Sequence, residues 1–129
     1  MDVRLTVAVL AFLSATASGA EWRCRNSVEI HCTEGTCKAI DREETSTMDV
    51  SFNYDGEFSV CAYSGCWSGR GQIHLDRQFL FIWKERAEWS FEPDRESRRS
   101  DVLIAFDQSD QVALVKVGGF AHPFNCELK

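Results

Sequence analysis

From residue 21 onward the chain alternates apolar and polar positions over short runs, with turn residues between them at roughly 8–12 residue spacing. No stretch of helical period follows residue 20. This pattern predicts an all-β domain: an antiparallel meander closing into a small β-barrel or a two-sheet sandwich. The clearest run is 48–54, with Met48, Val50, Phe52 and Tyr54 on one face and Asp49, Ser51 and Asn53 on the other. Asp55-Gly56 then turns the chain. A three-residue loop at 54–56, with Gly56 in the left-handed conformation, pairs Phe52 with Phe58 and Val50 with Val60. A two-residue loop would put the two apolar faces on opposite sides of the sheet, so the buried face selects the longer one.

The same parity carries through the next turn. Cys61 opposite Cys66 pairs Val60 with Trp67, Ser59 with Ser68 and Glu57 with Arg70. The following strand then points Trp67, Gly69, Gly71, Ile73 and Leu75 inward and Ser68, Arg70, Gln72 and His74 outward. A turn at 76–78 sets Leu75 against Phe79, Ile73 against Phe81 and Gly71 against Trp83, the glycine leaving room for the indole. A further turn at 84–86 pairs Phe81 with Trp89 and Phe79 with Phe91. Residues 21–25 and 28–32 are the first candidate strands, 41–47 a polar loop, and 92–101 a charged loop of mixed sign. Residues 102–106 and 112–117 form another hairpin, and 120–128, which contains Pro123, is expected at a sheet edge.

Composition adds the compartment. Residues 1–20 have the pattern of a secretory signal: Arg4, an apolar run over 5–13, then small residues up to Ala20. Nine apolar residues are too few to span a bilayer, which takes about 20. Residues 21–129 are then a single exported domain, bacterial periplasmic or secreted, and no N-glycosylation sequon occurs in it. All six cysteines fall in this part, an even number that predicts a disulfide framework. Six cysteines allow fifteen pairings. Cys32–Cys37 and Cys61–Cys66 fit as staples across tight hairpins, which leaves Cys24–Cys126 to join the two ends. The net charge of −6 disfavours nucleic acid and anionic membrane and suits a basic protein partner. A monomer or weak dimer is expected, with no membrane insertion.

Candidate chemistry is sparse. The three histidines, His31, His74 and His122, fall on separate segments. His74 beside Asp76 could serve a small hydrolase as a base with its orienter, although residues two apart on a strand merely share a face. His122-Pro123 is expected in a loop. Cysteine spacing favours disulfides over metal or redox chemistry, so no cofactor is expected. Tyr63 at a hairpin tip is the best recognition aromatic. Arg70 pairs with Glu57 across the strands, and Arg95, Arg98 and Arg99 belong to a solvated loop. The reading is a non-catalytic binding or inhibitor module acting through the outer face of residues 61–74, with a secreted hydrolase or an envelope structural component as alternatives.

Ser68-Gly69, followed by Phe81-Ile82-Trp83-Lys84, resembles the small periplasmic and membrane-bound inhibitors of c-type lysozyme. The resemblance spans residues 68–84. It implies a small antiparallel barrel in which Ser68 and Lys84 enter the lysozyme cleft. The tyrosine that follows Ser-Gly in that family is absent, Gln72 standing near its place, and Glu85 replaces a glycine. The Ser-to-Lys spacing is about two residues longer, an even offset that keeps both side chains on one face of a regular hairpin.

Overall fold

The structure is a computed structural model that describes residues 19–62 and 64–129. The expected signal segment up to residue 18, and Tyr63, lie outside the described residues. Eleven strands form in chain order: β1 (Glu21–Arg25), β2 (Ile30–Thr33), β3 (Thr36–Ala39), β4 (Asp49–Asn53), β5 (Glu57–Ala62), β6 (Gly65–Arg70), β7 (Gln72–Asp76), β8 (Phe79–Trp89), β9 (Ser100–Asp107), β10 (Val112–Val117) and β11 (Phe120–Leu128). Eight of them, β1-β4-β5-β6-β8-β9-β10-β11, close into an antiparallel barrel through the β1–β11 pairing. The β2–β3 hairpin hangs from β11, and β7 pairs with β8 alone. No helix among the described residues is long and apolar enough to cross a membrane.

The interior fills as strict alternation requires. Val50, Phe52, Phe58, Val60, Ile104, Phe106, Val115 and Phe124 are all buried. Phe106 sits between Trp22 and Phe52, with ring centroids 4.7 and 5.0 Å away. Each such side chain contributes about 1.5–3 kcal/mol by leaving water. A polar chain crosses the interior: the Trp22 indole N–H donates to the Tyr54 hydroxyl (3.1 Å), which donates to Gln108 Oε1 (2.6 Å).

From residue 48 to residue 70 the register is the one the sequence predicts. Val50 faces Val60, Phe52 faces Phe58, Val60 faces Trp67 and Glu57 faces Arg70. Gly56 has φ 93°, the left-handed residue the bulged turn needs. All three disulfides join directly opposed residues, Cys24–Cys126, Cys32–Cys37 and Cys61–Cys66, each with Cα atoms 4.0 Å apart. Cys24–Cys126 locks the seam at which the barrel closes.

Beyond residue 70 three expectations fail. The turn after β7 has two residues, Arg77 (φ 56°) and Gln78, so Leu75 faces Leu80 and Ile73 faces Ile82, one position from the expected register. Leu80 and Ile82 are therefore the buried residues, and Phe79, Phe81 and Trp83 point outward. Residues 79–83 are apolar at every position, so hydrophobic pattern cannot choose their face. Second, residues 84–86 do not turn the chain. β8 runs on to Trp89, with a bulge between Lys84 and Ala87 and Arg86 at φ 54°. Trp89 pairs with Trp67 rather than Phe81, and Phe91 is exposed. Third, β11 is not an edge strand; it pairs with β10, β1 and β2. Pro123 is tolerated because it falls between the β2 pairing at Phe120 and the β1 pairing that starts at Asn125, where no neighbour requires its missing N–H.

Candidate functional site

The barrel has two unlike outer walls. The wall formed by β1, β4, β5 and β6 is polar. Arg25 pairs with Asp49 (2.7 Å), and Arg70 reaches both Glu57 (2.7 Å) and Asp55 (3.4 Å). Ser51, Ser59 and Ser68 lie between these pairs, and the Cys61–Cys66 bridge covers one end. A surface groove of about 720 Å³ runs along this wall and the seam, lined by Arg23, Arg25, Asp49, Ser51, Asn125 and Glu127 among others. Its charges are mixed, and the Arg25–Asp49 pair lies within it. Arg70 thus has the structural role expected of it: the carboxylates of Glu57 and Asp55 raise its pKa from an already high value.

The wall formed by β7 to β10 is apolar. Phe79 (40 % exposed), Trp83 (36 %), Leu103 (44 %) and Leu114 (59 %) all face solvent. Register makes them contiguous: Phe81 faces Ala105, which faces Leu114, while Trp83 faces Leu103. Directly opposed residues share a face, so these side chains lie side by side across three strands. At the β7 margin His74 stacks on Phe81, ring centroids 6.3 Å apart, and Gln72 faces Trp83. At one end Phe79 lies between Asp76 and Asp107. Lys116, opposite Leu103, donates its ammonium hydrogen bond back to the Gly118 carbonyl.

The predicted site residues divide between these walls. Ser68 and Arg70 are outward on the polar wall, while His74 edges the apolar one. Among the described residues no hydrogen bond joins His74 to Asp76. Lys84 faces Val102, a buried residue, and so lies on the inner side near the barrel rim. Ser68 faces Ser59 and Glu88 on the outer side. The two therefore lie on opposite faces, contrary to the same-face expectation, because the two-residue turn at Arg77 and Gln78 shifts β8 by one position and reverses the parity of Lys84. Trp67 packs inward on Trp89 (4.5 Å), and its N–H donates to the Arg98 carbonyl. The basic residues of the 92–101 loop are paired with acids, Arg95 with Glu92 and Arg99 with Glu88.

One cluster was invisible in the sequence. His122 lies inside the barrel, not in a loop, and its Nδ1 accepts the Ile30 backbone N–H (2.9 Å). Glu29, also buried, accepts from the Ser46 N–H (2.6 Å) and contacts His31 Nε2 (2.7 Å). Burial pushes the His122 pKa below the ordinary histidine value, only partly countered by the charge of Glu29. Burial pushes Glu29 upward, but the Ser46 amide and His31 outweigh it and hold the carboxyl below its ordinary range. With Asn26, which accepts from Met48 N–H and donates to the Val28 and Ser46 carbonyls, these groups pin the 26–48 excursion to the barrel. Their partners within the protein give them a structural role, with one buried atom, His122 Nε2, left unpartnered. No grouping of three His, Cys, Asp or Glu among the described residues could hold a metal ion. Comparison with family models, with curated proteins and with solved structures finds no match to this chain.

Proposed function

We propose that this chain is an exported, non-catalytic binding module whose contact surface is the apolar outer wall of β7 to β10. The observation that carries the reading is a contiguous apolar outer face on a rigid sheet, with Phe79, Trp83, Leu103 and Leu114 exposed around a half-buried Phe81. A protein of this size seldom leaves such a patch open unless something covers it. Three disulfides fit an oxidising compartment. The aromatic side chains supply the large, rigid contact area typical of binding hot spots. The proposed partner is a basic protein. The chain carries a net charge of −6, and Asp76 and Asp107 flank the patch, so a complementary surface has an apolar centre and a cationic margin. The same charge argues against an anionic membrane as the occupant.

The resemblance to lysozyme inhibitors makes a c-type lysozyme the first basic protein to try. The test is retention of lysozyme on the immobilised mature domain, together with its turnover in the presence of the domain. A lysine homopolymer serves as the control for charge alone. Retention that survives moderate salt and is lost in Trp83→Ser or Leu114→Ser, but not in Arg70→Ala, supports both face and partner class. Retention indifferent to Trp83 and Leu114 overturns the face. No retention and no effect on turnover overturn the inhibitor reading, and loss of a detected hydrolytic activity in His74→Ala would replace it with an enzyme.

A further inference from the structure

Among the described residues, β3 and β7 each pair with one neighbour only. A free strand edge is a template for pairing with another chain, and proteins blunt such edges with lysine, proline or a bulge. β3 carries Lys38 and spans four residues, closed by the Cys32–Cys37 staple. β7, with the sequence Gln-Ile-His-Leu-Asp, carries none of these. Its side chains are all exposed, including Ile73 (45 %) and Leu75 (55 %).

The hydrogen-bonding parity of this edge follows from the hairpin. The two-residue turn at Arg77 and Gln78 makes Asp76 and Phe79 a hydrogen-bonded pair, so Gln72, His74 and Asp76 turn their backbone groups toward β8. Ile73 and Leu75 turn theirs away. Gly71, the preceding odd residue, shows the same direction: its N–H donates to the Gly56 carbonyl (2.9 Å) on the side away from β8. The 54–56 turn therefore ends the free edge at Gly71 and leaves a clear run over β7.

We propose that β7 is the contact by which two copies of this chain pair, antiparallel, about a two-fold axis through His74. In that register Ile73 lies opposite Leu75 of the second copy, and Leu75 opposite its Ile73. Each of these two pairs exchanges two backbone hydrogen bonds, which satisfies every outward N–H and carbonyl of Ile73 and Leu75. On the inner face, isoleucine covers leucine twice. On the outer face, histidine meets histidine on the axis and Gln72 meets Asp76, so no two carboxylates are directly opposed. A second copy is favoured over an arbitrary extended segment because the edge is its own complement in both side-chain character and hydrogen-bond parity. The contact is short, so the dimer is weak and concentration-dependent. The inference does not rest on the apolar wall's partner.

The test is sedimentation of the mature protein over a wide concentration range, with substitutions that read the register. The expected result is a shift from one-chain to two-chain mass as concentration rises. Leu75→Pro, which removes an outward N–H at an edge position where proline is tolerated, and Ile73→Glu should each abolish that shift. His74→Cys places two thiols on the axis in a non-hydrogen-bonded pair, with Cα atoms about 4.5 Å apart, and should give a covalent dimer on mild oxidation. Gln72→Cys, which faces Asp76 of the second copy, should not. One-chain mass at all concentrations overturns the proposal, as does a dimer indifferent to Leu75→Pro and Ile73→Glu. A His74→Cys variant that crosslinks no faster than Gln72→Cys overturns the register, and a β7 edge that retains an extended peptide while the chain stays monomeric overturns the occupant.

Discussion

The polar and apolar walls of the barrel are built by the same alternation, yet they differ in what their outward positions do. On β4, β5 and β6 the outward residues are serine, asparagine, charged groups and the Cys61–Cys66 bridge, and the charged ones are already held in ion pairs. On β8 to β10 the central outward positions hold phenylalanine, tryptophan, alanine and leucine, and nothing among the described residues covers them. Surface ion pairs contribute little to stability, and an exposed apolar side chain contributes little by itself. Neither wall is thus needed to hold the barrel together. The difference lies in what each offers a partner: one wall has satisfied its own charges, and the other leaves its dispersion and hydrophobic capacity unused.

The sharpest tests of this contrast begin with what actually holds the walls in place. Replacing Cys24 and Cys126 with alanine opens a crosslink spanning 102 residues, for which chain entropy predicts a loss of about 4–5 kcal/mol. Replacing Cys61 and Cys66, on the polar wall, opens a crosslink spanning only 5 residues and should cost about 2 kcal/mol. Urea unfolding measures both. Equal losses would show that the seam does not limit the unfolded chain.

Neighbouring residues on β8 test which face is which. Ile82→Ala should lose about 2–5 kcal/mol by emptying a core position, whereas Trp83→Ala should stay within about 0.5 kcal/mol. The reverse order would restore the one-residue-shifted register and place the tryptophan inside.

Acid should act on the polar excursion and leave the apolar wall unaffected. His122 has a folded pKa below its unfolded value, so the unfolded chain takes up a proton first. Its contribution is complete above about pH 6.5, the ordinary histidine value, and is lost as pH falls through the lower folded value. Glu29, also depressed, adds a loss that begins near 4.5 and grows with further acid. The thermal midpoint should therefore decline below neutrality, and His122→Phe should flatten the upper part of that decline at some cost in absolute stability. A wild-type midpoint independent of pH between 7 and 5 would show that the His122–Ile30 hydrogen bond does not hold the excursion. The smallest expected effect is that of Arg70→Ala, whose unfolding midpoint should match the wild type within error. A clear fall would make the polar wall a source of stability and weaken the contrast.

Much of this was legible in the residues, and the boundary between legible and illegible has a physical cause. From Met48 to Arg70 the apolar positions alternate strictly, so burial allows one register only and Cys61–Cys66 follows from it; Cys32–Cys37 follows from its own tight turn, and Cys24–Cys126 from the remaining ends. The run Phe79-Leu80-Phe81-Ile82-Trp83 is apolar throughout, so two registers bury equally greasy faces, and turn geometry at Arg77 decides between them. The β8 bulge has no hydrophobic signature, because its residues Glu85 and Arg86 look the same in a turn. The Glu29–His31–His122 cluster joins segments more than ninety residues apart, brought together only by closure of the barrel. Of the named site residues, His74 lies beside the surface the structure singles out. Ser68 and Lys84 are put on opposite faces by the two-residue turn at Arg77 and Gln78, and the leucines of that surface gave no sign of being outward.

The extra residue at Arg86 makes β8 a strand with two phases. Before it, even-numbered residues fill the barrel; after it, odd-numbered ones do. Straightening the strand with its sequence unchanged would turn Ala87 and Trp89 out to solvent and Glu88 in against Trp67, whereas deleting Arg86 alone would remove the extra residue and leave both halves facing as they do. A residue removed from β8 on either side of the bulge would act on the far end of the strand as a wholesale exchange of inside for outside. That makes this position, remote from both walls' centres, the one place in β8 where the loss of a residue preserves both faces.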